Sequence, residues 1–404
     1  MRLMNIISKM SKLFLHSVEK ICYACMTEMK CITKDEGVVI FFILVPLFYP
    51  LIYSWIYTNE VVREVPIAVV DMSHSEMSRK FTRMIDASAD TKIAGYCNDI
   101  NEAKDMIGRQ KAYAILYFPS DFQKNPNRME QSHVSIFCDM SYMLYYKAVM
   151  QTATAVAGVM NTTIQTERTA GLSKRENEVM TQPLDFEEVE IFNTTGGYGN
   201  FIIPGVLMLV IQQTLIFGIG MATGTRKEGL RIKGAIDNVL GKADTFSTVT
   251  GRSLAYLMIY AVVSAYVLLV VPRLFHFVSI LHAIDLLCFI LPYLLSCIFF
   301  ASIIAHFVKR REDIMLVAVF TSVPFLFMSG VSWPQSAIPE IWQWVSSVIP
   351  STFGVRGFIR LNTMGALLED VKHETLMLWI QAATFYVVTL ILASRAKKKQ
   401  QQQQ

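Results

Sequence analysis

Six long stretches of this chain contain no Asp, Glu, Lys or Arg: residues 37–59, 191–225, 253–272, 286–308, 314–339 and 375–394. A helix needs about 20 mostly apolar residues to cross the hydrocarbon core of a bilayer, so each stretch can supply one crossing. Ahead of the first, Ile7, Met10, Phe14, Val18, Ile21, Cys25, Met29 and Ile32 recur at helical spacing, while Lys9, Lys12, His16, Glu19 and Lys20 occupy other faces. Such a basic amphipathic helix either lies along a membrane surface or packs on the ends of the spans.

Between the first and second stretches lies a charged insert, 60–195, with the patterning of a soluble domain. Residues 66–70 read as a buried strand ending at Asp71, and 92–96, 112–118 and 134–138 as three further strands. Met77, Phe81, Met84 and Ile85 mark one helical face, Asp99 and Glu102 a capping box, and 142–168 a long helix. Residues 186–192 read as a strand returning to the membrane. Alternating strands and helices predict a small α/β domain. The expected architecture is an α-helical integral membrane protein of six transmembrane helices, with an α/β extracytoplasmic domain between the first and second. The segments are an interface helix (1–36), span 1 (37–59), the insert (60–195), spans 2–6 (196–394) and a polar tail (395–404).

Composition agrees: 53% of residues are hydrophobic, 17% are charged, and the mean hydropathy is +0.38. A soluble domain carries about 25% charged residues. The net charge of +4 conceals an asymmetry. The insert holds 14 basic against 19 acidic residues, the remainder 23 against 14. Basic residues gather in alternate connections: before span 1, after span 2 (Arg226, Lys227, Arg231, Lys233, Lys242, Arg252), after span 4 (Lys309, Arg310, Arg311) and after span 6. Short basic loops stay in the cytoplasm, which predicts both termini inside and the insert outside. The positive balance follows from topology and does not imply nucleic acid. Span 1 starts after more than thirty residues and ends in Tyr53, Trp55 and Tyr57 without a small-residue cleavage site, so it reads as an uncleaved anchor.

Candidate chemistry is sparse. Cys22 and Cys25 stand with two residues between them, but no second Cys or His pair stands at zinc spacing, so no metal site is predicted. Cys97 and Cys138 could pair in an oxidising compartment, which spacing alone leaves open. Asp71, Asp121 and Asp139 follow strands, as turn and cap acids do, and no nucleophile signature accompanies them; no catalytic residue is predicted. The glycine-rich 195–199 precedes a span and lacks the setting of a dinucleotide loop. Asn161 and Asn193 each open a glycosylation-type triplet. The spans are nearly free of ionisable groups; Gln212 and Gln213 form the paired polar feature deep in one, either lining a pathway or bonding a neighbouring helix.

Several blocks together resemble the permease of type-2 ABC exporters, in order and over most of the chain. They are Asp71-Met-Ser-His-Ser75, the strand 112–118 leading to Pro119 and Phe122, Phe137-Cys-Asp139, Phe201-Ile-Ile-Pro-Gly205, Arg226-Lys-Glu-Gly229 and Gly251-Arg252. The most specific is Met328-Ser-Gly-Val-Ser-Trp-Pro334, followed by Ile338-Pro339, Ile349-Pro350 and 356–365. The resemblance implies a short outer hairpin over 331–373, with Gly330, Trp333, Pro334, Pro339 and Pro350 as its markers. It also implies a cytoplasmic coupling loop, 224–252. Asn193-Thr194 departs from the family's usual Asn-Pro, and the wording after Gly229 is its own.

No Gly-x-x-x-x-Gly-Lys-Ser/Thr loop occurs, so this chain does not bind ATP by that route; the resemblance implies a separate ABC ATPase subunit that binds ATP and Mg. The resemblance further implies a second permease copy, identical or homologous. In a cell with an outer membrane it implies a periplasmic adaptor. The residues expected to transmit ATPase closure are Glu19, Glu28, Arg226, Lys227 and Glu228. The function expected is export of a hydrophobic or amphiphilic compound (drug, toxin or lipid-like) across a bacterial inner membrane. An ion-coupled secondary transporter is the alternative, but it would place ionisable groups within its spans. A membrane-anchored binding or assembly protein is another, for which five spans after the insert are excessive.

Overall fold

The computed structural model describes residues 2–128, 130–168, 191–193, 196–233 and 244–403. The chain divides into two compact units, Met1–Glu60 with Ile191–Gln404, and Val61–Glu190.

In the second unit, β1 (Val65–Asp71), β2 (Thr91–Cys97), β3 (Ala114–Phe118) and β4 (Ser135–Cys138) form one sheet in the order β2-β1-β3-β4. The first three strands run parallel and β4 pairs antiparallel with β3. Alternation sorts the side chains: Val65, Ile67 and Val69 pack with Phe81, Ile85 and Phe118, while Ala68, Val70 and Ile115 pack with Ala103. Asp71 accepts from Ser73 N, His74 N and Ser78 Oγ, the last at 2.6 Å, and Asp139 accepts from Ser141 N. These are turn and cap contacts. Two strands separate Cys97 from Cys138, so roughly 14 Å lies between them at normal strand spacing. A disulfide needs Cα atoms within about 7 Å, and both thiols are free. The strand expected over 186–192 lies mostly outside the described residues.

The first unit is helical. It comprises α1 (Arg2–Lys34), α2 (Glu36–Ile56), α3 (Tyr198–Lys233), α4 (Thr245–Leu274), α5 (Ala283–Phe307), α6 (Arg311–Met328), α7 (Glu340–Ser346), α8 (Pro350–Thr363) and α9 (Lys372–Gln403). Among the described residues five helices are long and apolar enough to cross a membrane: α2, α3, α4, α5 and α9. The fifth uncharged stretch behaves differently from expectation. Its helix, α6, ends at Met328 after 18 residues and opens on Arg311, Glu312 and Asp313, and the rest of the stretch turns at Gly330 with φ of +88°. The α2 and α4 helices each widen into a π turn, at Ile40–Leu44 and Tyr266–Val270, just before Pro46 and Pro272. A proline cannot donate to the preceding turn, and the wider turn absorbs the gap.

The α3 helix is the axis of this unit: 89% of its apolar window is buried, against 22% for α9. Two close approaches set the packing at the C-terminal end of α3. A Cβ on Gly251 would lie 2.5 Å from the Ile21 carbonyl oxygen, so only glycine lets α4 touch the backbone of α1. A Cβ on Gly224 would lie 2.9 Å from the backbone of Arg311, which brings α3 against the start of α6.

Candidate functional site

The residues Arg226-Lys227-Glu228 fall on the C-terminal part of α3, which continues as helix to Lys233; helix resumes at Thr245. The expected loop over 224–252 is therefore helical at both ends, and 234–243 lie outside the described residues. Successive residues on a helix point about 100° apart, so the three side chains reach three different elements.

Arg226 turns toward α1. Its Nη1 donates to both carboxylate oxygens of Glu28, to Oε1 at 2.6 Å, and Tyr256 on α4 donates to the same carboxylate. Arg252 Nε completes the group, 3.3 Å from Glu28 Oε2. Glu28 is 4% exposed. Burial pushes its carboxyl up, but the Arg226 and Arg252 guanidinium groups and the Tyr256 hydrogen bond outweigh this and hold it below its usual value.

Lys227 turns toward the end of α5. Its Nζ donates to the carbonyl oxygens of Ala305 (3.1 Å), His306 (2.7 Å) and Val308 (2.5 Å). The last carbonyls of a helix have no partner within it and carry its negative dipole end, so a lysine caps them well. Glu228 turns toward α6, accepting from the backbone N–H of Arg311 at 3.0 Å and pairing with its Nε at 3.4 Å. One turn earlier, Thr225 donates to Asp35 Oδ2 (2.7 Å) and accepts from Arg311. Asp35 itself caps the start of α2 through Gly37 N and Val38 N.

Four residues, 225–228, thus join α1, α4 and the ends of α2, α5 and α6 to α3. Of the residues singled out in the sequence, Glu28, Arg226, Lys227 and Glu228 come together in this way. Glu19 does not: it is exposed on α1 and faces His16 at 3.7 Å. Sequence reasoning missed Asp35, Thr225, Tyr256 and Arg311 as partners. Tyr256 carried a signal, since it lies one helical turn beyond Arg252 on the same face.

Gln212 is fully buried, and its Oε1 accepts from Ser351 N at 2.7 Å. It caps the start of α8, where Pro350 occupies the first turn. Gln213 instead faces a groove of about 350 Å³ between α2, α3 and α6, lined by Phe41, Tyr49, Tyr53, Phe217 and Val323. Neither amide atom of Gln213 has a hydrogen-bond partner among the described residues.

The segment expected as a short hairpin, 331–373, is more elaborate. Trp333 is exposed with its Nε1 donating to Ala337 O, Pro334 leads into a 3-10 turn over Gln335–Ala337, and Pro339 caps α7. Ile341, Trp342, Trp344 and Val345 are exposed along α7. The second half is not superficial. α8 is a largely buried helix packed on α3, α5 and α9, with Gly354 and Gly357 lying directly under the rings of Tyr293 and Phe289.

Residues 37–391 match the family model described as "ABC-2 family transporter protein". The chain belongs to this ABC-2 family. Relatives include the inner membrane transport permease YadH of Escherichia coli (strain K12) and its counterpart in Shigella flexneri. Each is 24% identical over 204 residues, covering 49% of this chain and 75% of the relative. As an ABC-2 permease, the protein is a multi-pass transport component, and membership implies in general a separate ABC ATPase.

Proposed function

We propose that this chain is the permease subunit of an ATP-driven exporter that moves a hydrophobic or amphiphilic compound out of the cytoplasm or inner membrane. The observation that carries the coupling part is the wiring of Arg226, Lys227 and Glu228 to α1, α5 and α6. A push on α1 or on the inner end of α3 reaches five helix ends through charged contacts. In this reading α6 is a sixth crossing, about 27 Å long at 1.5 Å per residue. Its three charges then mark the inner boundary beside Glu228. Both termini are cytoplasmic, and the unit Val61–Glu190 is outside.

The groove beside Gln213 supports a pathway at the face of α2, α3 and α6. Its lining is apolar and aromatic apart from one amide and a few hydroxyls, which suits an apolar cargo. α2 and α6 also expose Ile40, Leu44, Phe48, Leu316, Phe320 and Val323, and a second permease copy, identical or homologous, would enclose the groove there. Where an outer membrane is present, a periplasmic adaptor would meet the outer unit.

Affinity capture of the tagged chain from its native membrane tests the subunit assignment. The expected result is co-purification of an ATP-binding subunit in stoichiometric amount, with ATPase activity in the complex and none in the chain alone. A chain that transports its cargo after purification free of any ATP-binding subunit overturns the reading.

A further inference from the structure

The groove of about 350 Å³ beside Gln213 is large enough for a small organic molecule, whose pockets measure about 300–1,000 Å³. On α2, Phe41, Val45, Tyr49 and Tyr53 line it, each one helical turn after the last. Tyr49 and Tyr53 stack at 5.8 Å with their planes 25° apart, and Phe41 stacks on Phe217 of α3 at 4.7 Å and 11°. Flat aromatic platforms therefore stand at two levels, roughly 18 Å of helix apart from Phe41 to Tyr53 at 1.5 Å per residue. Polar groups in the wall are few. Thr214 and Ser322 return their hydroxyls to Val210 O and Val319 O on their own helices, each at 2.7 Å. Among the described residues no Asp, Glu, Lys, Arg or His lines the groove.

Gln213 is the exception. One turn before Phe217 on α3, its amide oxygen and amide nitrogen are both buried, and neither has a partner among the described residues. A buried donor and acceptor left unmade together are costly, and a leucine of similar volume would avoid that cost. The amide offers its acceptor and its donor side by side in one plane. A guest that satisfies both must present the complementary pair, an N–H next to a C=O, as adenine presents a donor and an acceptor to glutamine. The three rotatable bonds of the side chain let that edge turn toward the groove. We propose that the groove recognises a planar aromatic compound through an amide-type edge. The edge pairs with Gln213 while the ring lies against the Tyr49–Tyr53 platform, where offset stacking is favourable. Gln213 then selects which amphiphile enters, a role that rests on the groove being the export pathway.

The test uses the full chain, purified without nucleotide or ATPase in phosphatidylcholine nanodiscs, with empty nanodiscs correcting for partition into lipid. Equilibrium dialysis compares phenanthridinone, a flat lactam with both groups on one edge, with N-methylphenanthridinone, which keeps the ring and carbonyl but lacks the N–H. The lactam is expected to bind at least about tenfold more tightly. Gln213→Leu should erase that preference while keeping or raising the thermal transition, because an unpaired buried amide is removed. Tyr53→Leu should weaken both compounds alike, since stacking does not sense the N–H. Equal binding of the two compounds to wild type overturns the proposal, as does a preference that survives Gln213→Leu or binding untouched by Tyr53→Leu. Uptake no greater than that of empty nanodiscs overturns it too, and leaves the groove to lipid chains. A lower oligomeric state of Gln213→Leu by light scattering also overturns it, because the amide then serves a contact between copies. Failure of lactam binding in a chain that still co-purifies with an ATP-binding subunit sinks this inference alone. Lactam binding by a chain with no such subunit sinks the permease assignment and leaves the recognition standing.

Discussion

Replacing Glu28 by Ala is expected to destabilise the membrane unit by about 3 kcal/mol, the low end for breaking a buried pair because the two arginines left behind are partly exposed. Arg226 and Arg252 both pair with this one carboxylate, and Tyr256 loses it as an acceptor at the same time. The expected readout is a sharply lowered thermal transition in detergent. Glu28→Gln keeps the shape and one acceptor oxygen, so its loss should be smaller and should differ in pH dependence. The folded carboxyl is held below its ordinary value. Its contribution is therefore complete above the unfolded carboxylate range, near pH 4.3. It is lost as pH falls through the lower folded value. The acid-side loss of stability should accordingly be present in the wild type and reduced in Glu28→Gln. Equal stability of Glu28→Ala and wild type at neutral pH would show that the cluster holds nothing together.

The second large effect is on transport rather than stability. Glu228 and Arg311 are partly exposed, and a pair in that setting contributes about 1 kcal/mol or less. Glu228→Arg should therefore leave the thermal transition within a few degrees of wild type. ATP-driven transport should nevertheless fall at least about tenfold, as loss of about 1.4 kcal/mol of coupling requires. The exchange Glu228→Arg with Arg311→Glu should recover much of the loss. Full transport by the single reversal would remove Glu228 from the coupling route.

Much of this was legible in the sequence because a bilayer reduces structure to a few strong rules. Uncharged length located α2, α3, α4, α5 and α9, and short strand-forming runs located the four strands. The exception is α6, where charge-free length ran past the helix: Ser329–Gly330 break it, and the remaining residues of the stretch stay uncharged without continuing the helix. α8 was hidden for the opposite reason. Its Ser, Thr, Gly and Pro content resembles a loop, yet small residues are what let a helix pack under Tyr293 and Phe289, and Gln212 supplies the cap. Within the site, charge marked Glu28 and Arg226-Lys227-Glu228, but not their partners. Pairing across nearly two hundred residues, as from Glu28 to Arg226, depends on Gly251 and Gly224 drawing helices together. A one-dimensional pattern carries no record of that approach.

In the proposed function, ATP bound by another chain drives movement through this one. Inverted membrane vesicles containing the permease and its ATPase subunit, supplied with a fluorescent amphiphile, test it directly. Accumulation is expected to require hydrolysable ATP and to persist when an ionophore collapses the proton gradient. Accumulation driven by a proton gradient alone, with no ATP present, would contradict it.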